Sequence, residues 1–393
     1  MDIETVKGFR DYTGEEALKR AKIKKILEKN FRLYGFEPAE TPVIENREFV
    51  IGEETNQEKQ DEAISDIFKL EDKGKRKLAL RYEFTFQLKR IAKNQKLPYK
   101  RYQIGPVFRD EPVSANRLRQ FTQCDVDIIG STINDEAEIL ALTKKVLDEL
   151  GIEFVIYINN RKLLDEILDE LKVNKDSRTK VIRIIDKLDK KTESEIKEEL
   201  KKYKAEKVIE VFKKPESYFK KYKAYQEIQE LKDFCKIYGL DKEIKFSVSL
   251  ARGFSYYNGS VFEVKTTGKN QIKETITGGG SYSVSCGGTK AQSTGISFGL
   301  ERLSSLANIS IEDLKPKAIV LSMNKDEEAI KIVEMLRQNN IPCIFMSGKI
   351  SKALAYANLK QIPYMIIVGD KLELKDMKTG KQKIVSEKDL MKL

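Results

Sequence analysis

Five arginines stand where they could hold phosphate. Arg109, Arg117 and Arg119 crowd a turn-forming stretch, FRDEPVSANRLRQF, Arg252 sits beside Gly253 in ARGFSYYNGSVFE, and Arg302 lies one turn into the helix that GISFGLERL opens. A guanidinium grips two phosphate oxygens at once, so arginines on a loop above a polar sheet suit a nucleotide triphosphate. Taken singly, each is equally an ordinary surface charge. Two flanking segments supply such a sheet. Strand alternation in LALRYEFT puts Leu78, Leu80, Tyr82 and Phe84 on one face and Arg81, Glu83 and Thr85 on the other. In QFTQCDVDIIG it groups Gln123, Asp125 and Asp127, with Cys124, Val126 and Ile128 opposite. Converging, the two polar faces form a carboxylate-rich floor; apart, they are the wet side of a half-solvated sheet. If ARGFSYYNGSVFE is extended, only one of Tyr256 and Tyr257 can face that floor. The three glycines of TGGGSYS let backbone approach a ligand closely, but the G-x-x-x-x-G-K-[ST] phosphate loop is absent.

Composition removes most other chemistry. The 393 residues include no histidine and no tryptophan. A Ser-His-Asp or Cys-His relay, an H-E-x-x-H zinc site and imidazole acid–base catalysis are therefore excluded. The four cysteines form no C-x-x-C pair, which disfavours a disulfide framework or a thiolate zinc site. No metal-ligating set is expected from the protein. A formal charge of +11 favours a polyanionic partner, although Lys/Glu-rich composition also accompanies thermophily. With 40% hydrophobic and 34% charged residues, and no apolar run near the roughly 20 that span a bilayer, the chain reads as globular with no membrane partner. The N-terminal MDIETVKGFRDY has no basic-then-apolar leader pattern, so a cytoplasmic location is expected.

The elements that must position these residues follow from periodicity. Residues 14–34 predict an amphipathic helix stopped at Gly35, with Leu18, Ile23, Ile26, Leu27 and Phe31 towards a core. Strands are expected from about 76 to 130, a Lys/Glu/Leu/Ile-rich helical insertion from about 160 to 240, then glycine-rich strands running into a helix at GLERLSSL. After Lys315-Pro316-Lys317, strand and helix alternate through AIVLSM, DEEAIKIVEMLRQNN, PCIFMS and YMIIVGD, the pattern of a small α/β domain with a mainly parallel sheet.

In order along the chain, Pro42 in TPVIE, the FRDE…RLRQF loop and GLER resemble motifs 1, 2 and 3 of the class II aminoacyl-tRNA synthetases. KGFRDY, LRYEFT, QCDVDIIG and above all ARGFSYYNGSVFE narrow the match, the last being similar to the RG-x-DYY-x-G-x-x-FE signature of histidyl-tRNA synthetase. RIIDKLDKK is similar to a recurrent string of that family, and the QCD-x-D form resembles its archaeal and eukaryotic members. The resemblance implies an α+β catalytic domain with a mainly antiparallel sheet over 1–314, interrupted by the helical insertion, and an α/β anticodon-binding domain over 315–393. It implies histidine, ATP, Mg2+ and tRNA(His) as reactants and a homodimer as the assembly.

The residue roles it implies are specific. Arg109 would hold the α-phosphate of ATP, Glu111 the adenine and Arg302 the γ-phosphate, with Arg117 and Arg119 also at ATP and Arg252 across the α-phosphate. Glu83, Thr85 and Gln123 would bind the histidine α-ammonium; Asp127, Tyr257 and Tyr282 would recognise its imidazole. Departures are Ser255 where the signature has Asp, Ser281 and Ser283 where GGRYD has Arg and Asp, and Ser114-Ala115-Asn116-Arg117-Leu118-Arg119 where motif 2 usually reads Q-x-G-R-x-R. The alternative is a catalytically silent paralogue acting as regulator or RNA-binding sensor. Such paralogues generally lack the C-terminal domain and have eroded ATP motifs, whereas this chain carries both.

Overall fold

The computed structural model describes residues 3–51, 66–114, 117–188, 191–251, 256–268, 275–286 and 288–393. Arg252, Ser255, Ala115 and Asn116 lie outside the described residues. The chain divides into two compact units, Met1–Ile309 and Ser310–Leu393.

The first unit opens with the helix Gly14–Leu33, which buries Ile23, Leu27 and Phe31 at the expected spacing and leaves Leu18 half-buried. It stops because Gly35 adopts φ +78°, which only glycine takes without strain, while the amide of Phe36 returns to the carbonyl of Phe31. Eleven strands follow: β1 (Glu37–Pro38), β2 (Ile44–Asn46), β3 (Lys69–Glu71), β4 (Lys77–Leu80), β5 (Tyr99–Phe108), β6 (Gln120–Ile129), β7 (Phe154–Asn160), β8 (Ile244–Phe246), β9 (Tyr257–Thr266), β10 (Thr277–Cys286) and β11 (Thr289–Gly299). Eight of them form one sheet in the order β1-β5-β6-β11-β10-β9-β7-β8. Its inner pairs are antiparallel, and only the edge pairs β1/β5 and β7/β8 are parallel.

One face of this sheet is closed by helices. Cys124, Val126 and Ile128 of β6, Ile296 and Phe298 of β11 and Phe262 and Val264 of β9 join a core with Ile23, Leu27 and Phe31 and with Ala137, Leu140 and Val146 of the helix Ile133–Glu149. That dry face fixes the register, since a slip of one residue would turn the charged set of β6 inwards.

Two sequence expectations change in this unit. The strand predicted through Thr85 ends at Leu80, where β4 joins only β2 and β3 in a small three-stranded sheet with Ala79 buried and Leu78 and Leu80 half-buried. Beyond it the chain turns because Glu83 accepts hydrogen bonds from the Phe86 amide and the Thr85 hydroxyl, which pulls 83–86 into a local loop. The helical insertion begins at Arg161 as expected, but its own core, built on Leu164, Leu168, Val181, Ile185, Ile196, Leu200 and Val208, ends near Ile209. Phe219, Tyr225, Ile228 and Leu231 belong instead to the main core, because the helix Tyr225–Ile237 packs on Ile133–Glu149.

In the second unit β12 (Ala318–Ser322), β13 (Cys343–Ser347), β14 (Tyr364–Val368), β15 (Leu372–Asp376) and β16 (Gln382–Ile384) are ordered β13-β12-β14-β15-β16. The first three are parallel; β15 and β16 add an antiparallel edge that the sequence reading did not contain. Alternation along β12 divides the unit into two cores. Ala318 and Val320 meet the helix Asp326–Gln338, and Ile319 and Leu321 meet the helix Ile350–Leu359. Among the described residues no helix is long and apolar enough to cross a membrane.

The central sheet leaves no room for a methyl group at Gly279, where a Cβ would lie 1.9 Å from the Gly295 carbonyl oxygen on β11. Gly279→Ala is expected to cost at least about 1–3 kcal/mol in denaturant unfolding, since the obstacle is backbone and cannot rotate away. Gly299→Ala, whose Cβ would meet nothing nearer than Arg302 Cδ at 4.0 Å, is the control and is expected to unfold like wild type.

Candidate active site

The sheet face opposite the helices carries the polar residues in rows set by strand register. Arg101 of β5, Asp127 of β6, Gly295 of β11 and Gly280 of β10 stand side by side. The next row on one side is Gln103, Asp125, Ser297 and Gly278; on the other it is Tyr99, Ile129, Ser293, Tyr282 and Tyr257. The glycines make a trough. At Gly295 a Cβ would come 2.2 Å from Asp127 Oδ1, and at Gly280 it would come 2.8 Å from the Tyr257 ring, so both side chains lie over backbone that carries none of its own. Of the TGGGSYS run, Gly280 thus serves the trough, and Gly295 comes from the neighbouring strand.

Asp127 is the centre of the floor. Its Oδ2 lies 2.6 Å from Arg101 Nη2, and its Oδ1 accepts the Tyr282 hydroxyl. Beside it Ser297 Oγ donates to Asp125 at 2.5 Å and accepts from Gln123 Nε2 at 2.7 Å, which leaves the buried Gln123 Oε1 with no hydrogen-bond partner among the described residues. Glu83 arrives from the loop after β4 rather than from a strand. The structure thus brings together Glu83, Thr85, Gln123, Asp127 and Tyr282. Arg81, placed with Glu83 by alternation, is elsewhere: its Nε donates to the Pro106 carbonyl at 2.8 Å and its Nη1 to the Thr41 carbonyl at 2.6 Å, holding the Pro42 segment to β5. Alternation failed there because the strand had already ended.

Three carboxyls this close and this dry repel their own ionisation. Burial, reinforced by Asp127 and opposed by Arg109, pushes Glu83 up to about 7. Burial also pushes Asp125 up to about 7, with Arg101 opposing and Asp127 and Glu83 adding repulsion. Asp127 is raised by burial as well, while Arg101 and then Tyr282 pull it back.

Above the floor, β5 and β6 pair as far as Phe108 and Gln120, and the Arg109 amide donates to the Arg119 carbonyl at 2.8 Å to begin the loop. Arg109 Nε donates to the Tyr82 carbonyl at 3.2 Å, and its guanidinium lies 5.0 Å from the Phe121 ring centre. Arg117 Nε pairs with Glu111 at 2.7 Å, and Arg119 with Asp110 at 3.2 Å. The KGFRDY segment braces this loop: the Gly8 carbonyl accepts from the amides of Arg119 and Gln120. Arg302, on the helix Leu300–Leu306, donates through Nη1 to the Thr275 carbonyl; its neighbour Glu301 takes the Thr122 amide and Arg20 Nη2, tying that helix to β6. Arg252 is outside the described residues.

Tyr256 was missed. Its ring lies 4.7 Å from Tyr257 and 5.6 Å from Tyr282, and the Glu83 carboxylate is among the groups that raise its hydroxyl. Both tyrosines reach the site because β9 begins only at Tyr257, leaving Tyr256 in the preceding turn. Arg101 and Ser297 were missed too, since their place opposite Asp127 and beside Asp125 depends on pairings between distant segments. Two of the departures from the family signature prove to lie away from the floor. Ser281 and Ser283 alternate with Tyr282, so Ser281 is buried on the helix side, donating to Glu136, and Ser283 is exposed, accepting from Asn258.

The comparisons with known proteins agree with this geometry. A family model described as histidyl-tRNA synthetase matches residues 8–303, and one described as anticodon binding domain matches residues 317–393. Histidine–tRNA ligase 1 of Bacillus cereus is 32% identical over 417 residues, covering 97% of both chains, and histidine–tRNA ligase 2 of Shouchella clausii is 32% identical, covering 98% of both. The crystal structure of histidyl-tRNA synthetase from a Nostoc species superposes with a TM-score of 0.84 at 25% identity, over all of this chain and 98% of that one. The eight-stranded sheet with its arginine-bearing loop is the catalytic architecture of a class II synthetase. The chain belongs to the histidyl-tRNA synthetase family.

Proposed function

We propose that the floor binds histidine and the arginine rim binds ATP, so that the trough performs the two steps of a histidine–tRNA ligase. One observation carries the assignment: Asp127, Tyr282, Gln123 and Glu83 converge on a buried trough beneath Arg109. Glu83, Thr85 and the unpartnered Gln123 Oε1 are acceptors suited to the α-ammonium. Asp127 accepts from an imidazole N–H, with Tyr257 and Tyr282 flanking the ring, and a side chain lacking that donor would leave the carboxylate unpaired.

Histidine's carboxylate oxygen attacks the α-phosphorus of ATP and pyrophosphate leaves. The attacking group is already ionised near neutral pH, so no general base is required and a chain without histidine residues loses nothing. Arg109 and Arg252 hold the α-phosphate and offset charge as it develops; Arg302 takes the γ-phosphate, Glu111 the adenine, and Arg117 and Arg119 the remaining phosphate oxygens. A tRNA 3′ hydroxyl then attacks the mixed anhydride carbonyl and AMP departs. Mg2+ bound with ATP would neutralise charge on the phosphates.

We assign residues 1–314 to the catalytic domain and 315–393 to an anticodon-binding domain that reads tRNA(His). Ile44, half-exposed two residues after Pro42, suits a face covered by a second copy in a homodimer. A cytoplasmic location fits the supply of ATP and tRNA. The QCD-x-D form suggests an archaeal- or eukaryotic-like affinity, whereas the curated relatives named above are bacterial.

Two outcomes test the reading. ATP–pyrophosphate exchange measured with each of the twenty amino acids should occur with histidine only and vanish in Arg252→Ala; exchange with none would move the chain to the silent-paralogue class. The second concerns Glu83, whose folded-state value of about 7 exceeds its ordinary 4.5. A raised carboxyl contributes stability at low pH that is lost as pH rises through the folded value. Glu83→Gln should therefore leave thermal unfolding near pH 3.5, below the ordinary carboxyl value, unchanged and stabilise the protein at pH 8 by up to about 3 kcal/mol. The same substitution should abolish histidine-dependent exchange, and an active Glu83→Gln enzyme would refute the α-ammonium assignment.

A further inference from the structure

Arg101 heads the fully buried side chains of this protein by size. It opposes Asp127 directly across β5 and β6, with Nη2 2.6 Å from Asp127 Oδ2 and 3.4 Å from the Phe84 carbonyl oxygen. Its Nε and Nη1 have no hydrogen-bond partner among the described residues. Such a group is costly, because unpartnered buried donors forfeit their hydration and a buried ion pair is often matched or surpassed by apolar side chains of the same volume. Stability therefore does not account for an arginine here.

The charges around Asp127 do. Arg101 faces it from β5, Asp125 from its own strand, Glu83 from the loop after β4 and the Tyr282 hydroxyl from β10, while β11 contributes the uncharged Gly295 and Ser297. Arg101 is the cation of the floor that touches Asp127. Being closed off from solvent, it reaches no ligand itself and acts through the carboxylate. The distinction matters because an ionised aspartate only accepts, whereas a protonated one presents an O–H donor that would meet the donor N–H of an imidazole ring.

We propose that Arg101 is the positioning residue that holds Asp127 ionised and aimed as an acceptor, and thereby sets the preference for an imidazole side chain. The inference deepens the histidine-site reading and rests on it. Burial drives Asp127 towards its protonated form and Arg101 is the first group opposing that drift. Without the guanidinium, burial drives Asp127 further towards its protonated form, which sets an O–H donor against the ring N–H.

The test is histidine-dependent ATP–pyrophosphate exchange between about pH 6.5 and pH 8.5, with KM for histidine and for ATP determined separately for wild type, Arg101→Met, Arg101→Lys, Asp127→Asn and the Arg101→Met/Asp127→Asn double variant. Arg101→Met is expected to raise KM for histidine about tenfold near pH 7, as the loss of one hydrogen bond to a charged acceptor requires, and to leave KM for ATP within about twofold. The ratio of variant to wild-type KM should fall as pH rises and Asp127 regains its charge. Arg101→Lys should recover most of the loss. In the Asp127→Asn background, removal of Arg101 should add less than about twofold, since the charge it serves is gone. Should Arg101→Met fail to fold, the double variant, which buries no unpaired carboxylate at 127, carries the test through comparison with Asp127→Asn. Equal rises in both KM values, a pH-independent penalty, or full additivity in the Asp127→Asn background would overturn the proposal. Wild-type protein that exchanges with no histidine at all would instead overturn the reading of the site, and this inference with it.

Discussion

A carboxylate in the middle of a sheet needs both room and a counter-charge, and the strand register of this protein supplies the two together. Asp127 lies over Gly295, where a Cβ would come within 2.2 Å of its oxygen, and opposite Arg101, whose guanidinium lies 2.6 Å away. The same register sets Gly280 beneath the Tyr257 ring and brings the Tyr282 hydroxyl to Asp127. Shifting β10 or β11 by one residue would exchange these glycines for side chains, and shifting β6 would turn its aspartates into the helical core. The trough, the charge pair and the aromatic wall are thus consequences of one pairing scheme.

That scheme is held from the other side of the sheet. Val126 and Ile128 can keep their places only if a continuous apolar layer covers them, and the helices Gly14–Leu33 and Ile133–Glu149 provide it. The two faces meet at Glu301. Its carboxylate takes the Thr122 amide and Arg20 of the first helix, so the helix carrying Arg302 is tied both to β6 and to the core layer. Ser281 belongs to this inner layer. Where the family string has an arginine, the serine leaves Glu136 with hydroxyl partners, Ser281 and Ser260, and burial pushes that carboxyl up to about 7. The serine thus sits in the electrostatics of the core beneath the sheet rather than on the trough face.

What could be read from the sequence follows the range of the interactions concerned. Alternation in QFTQCDVDIIG divided β6 correctly, because a half-buried antiparallel strand writes its two faces into every second residue. The same rule failed at Arg81, where Glu83 captures local amides and ends the strand, a competition that periodicity does not register. Tyr256 escaped because its access to the site depends on where β9 begins. Arg101 is a basic residue in a stretch of strand, indistinguishable by type from a solvated one until Asp127, 26 positions later, is placed beside it. In the second unit the parallel strands showed as apolar runs, whereas β15 and β16, mixed in character and at the sheet edge, carried no comparable signal.

The floor also shows why this site is expensive to keep empty. Glu83, Asp125 and Asp127 are each driven towards protonation by burial and by one another, with Arg101 and Arg109 opposing. On the proposed reading, an arriving α-ammonium would supply positive charge at Glu83 and a ring N–H would donate to Asp127. Binding therefore relieves electrostatic stress already present in the free protein, and the ligand's contribution appears as added stability in proportion to its occupancy. The arrangement sorts substrates by the same means. On the same reading, an amino acid with an apolar side chain would relieve Glu83 but bring no donor to Asp127, which Arg101 and Tyr282 would then face alone, so the trough would favour a ring N–H through its polar demand.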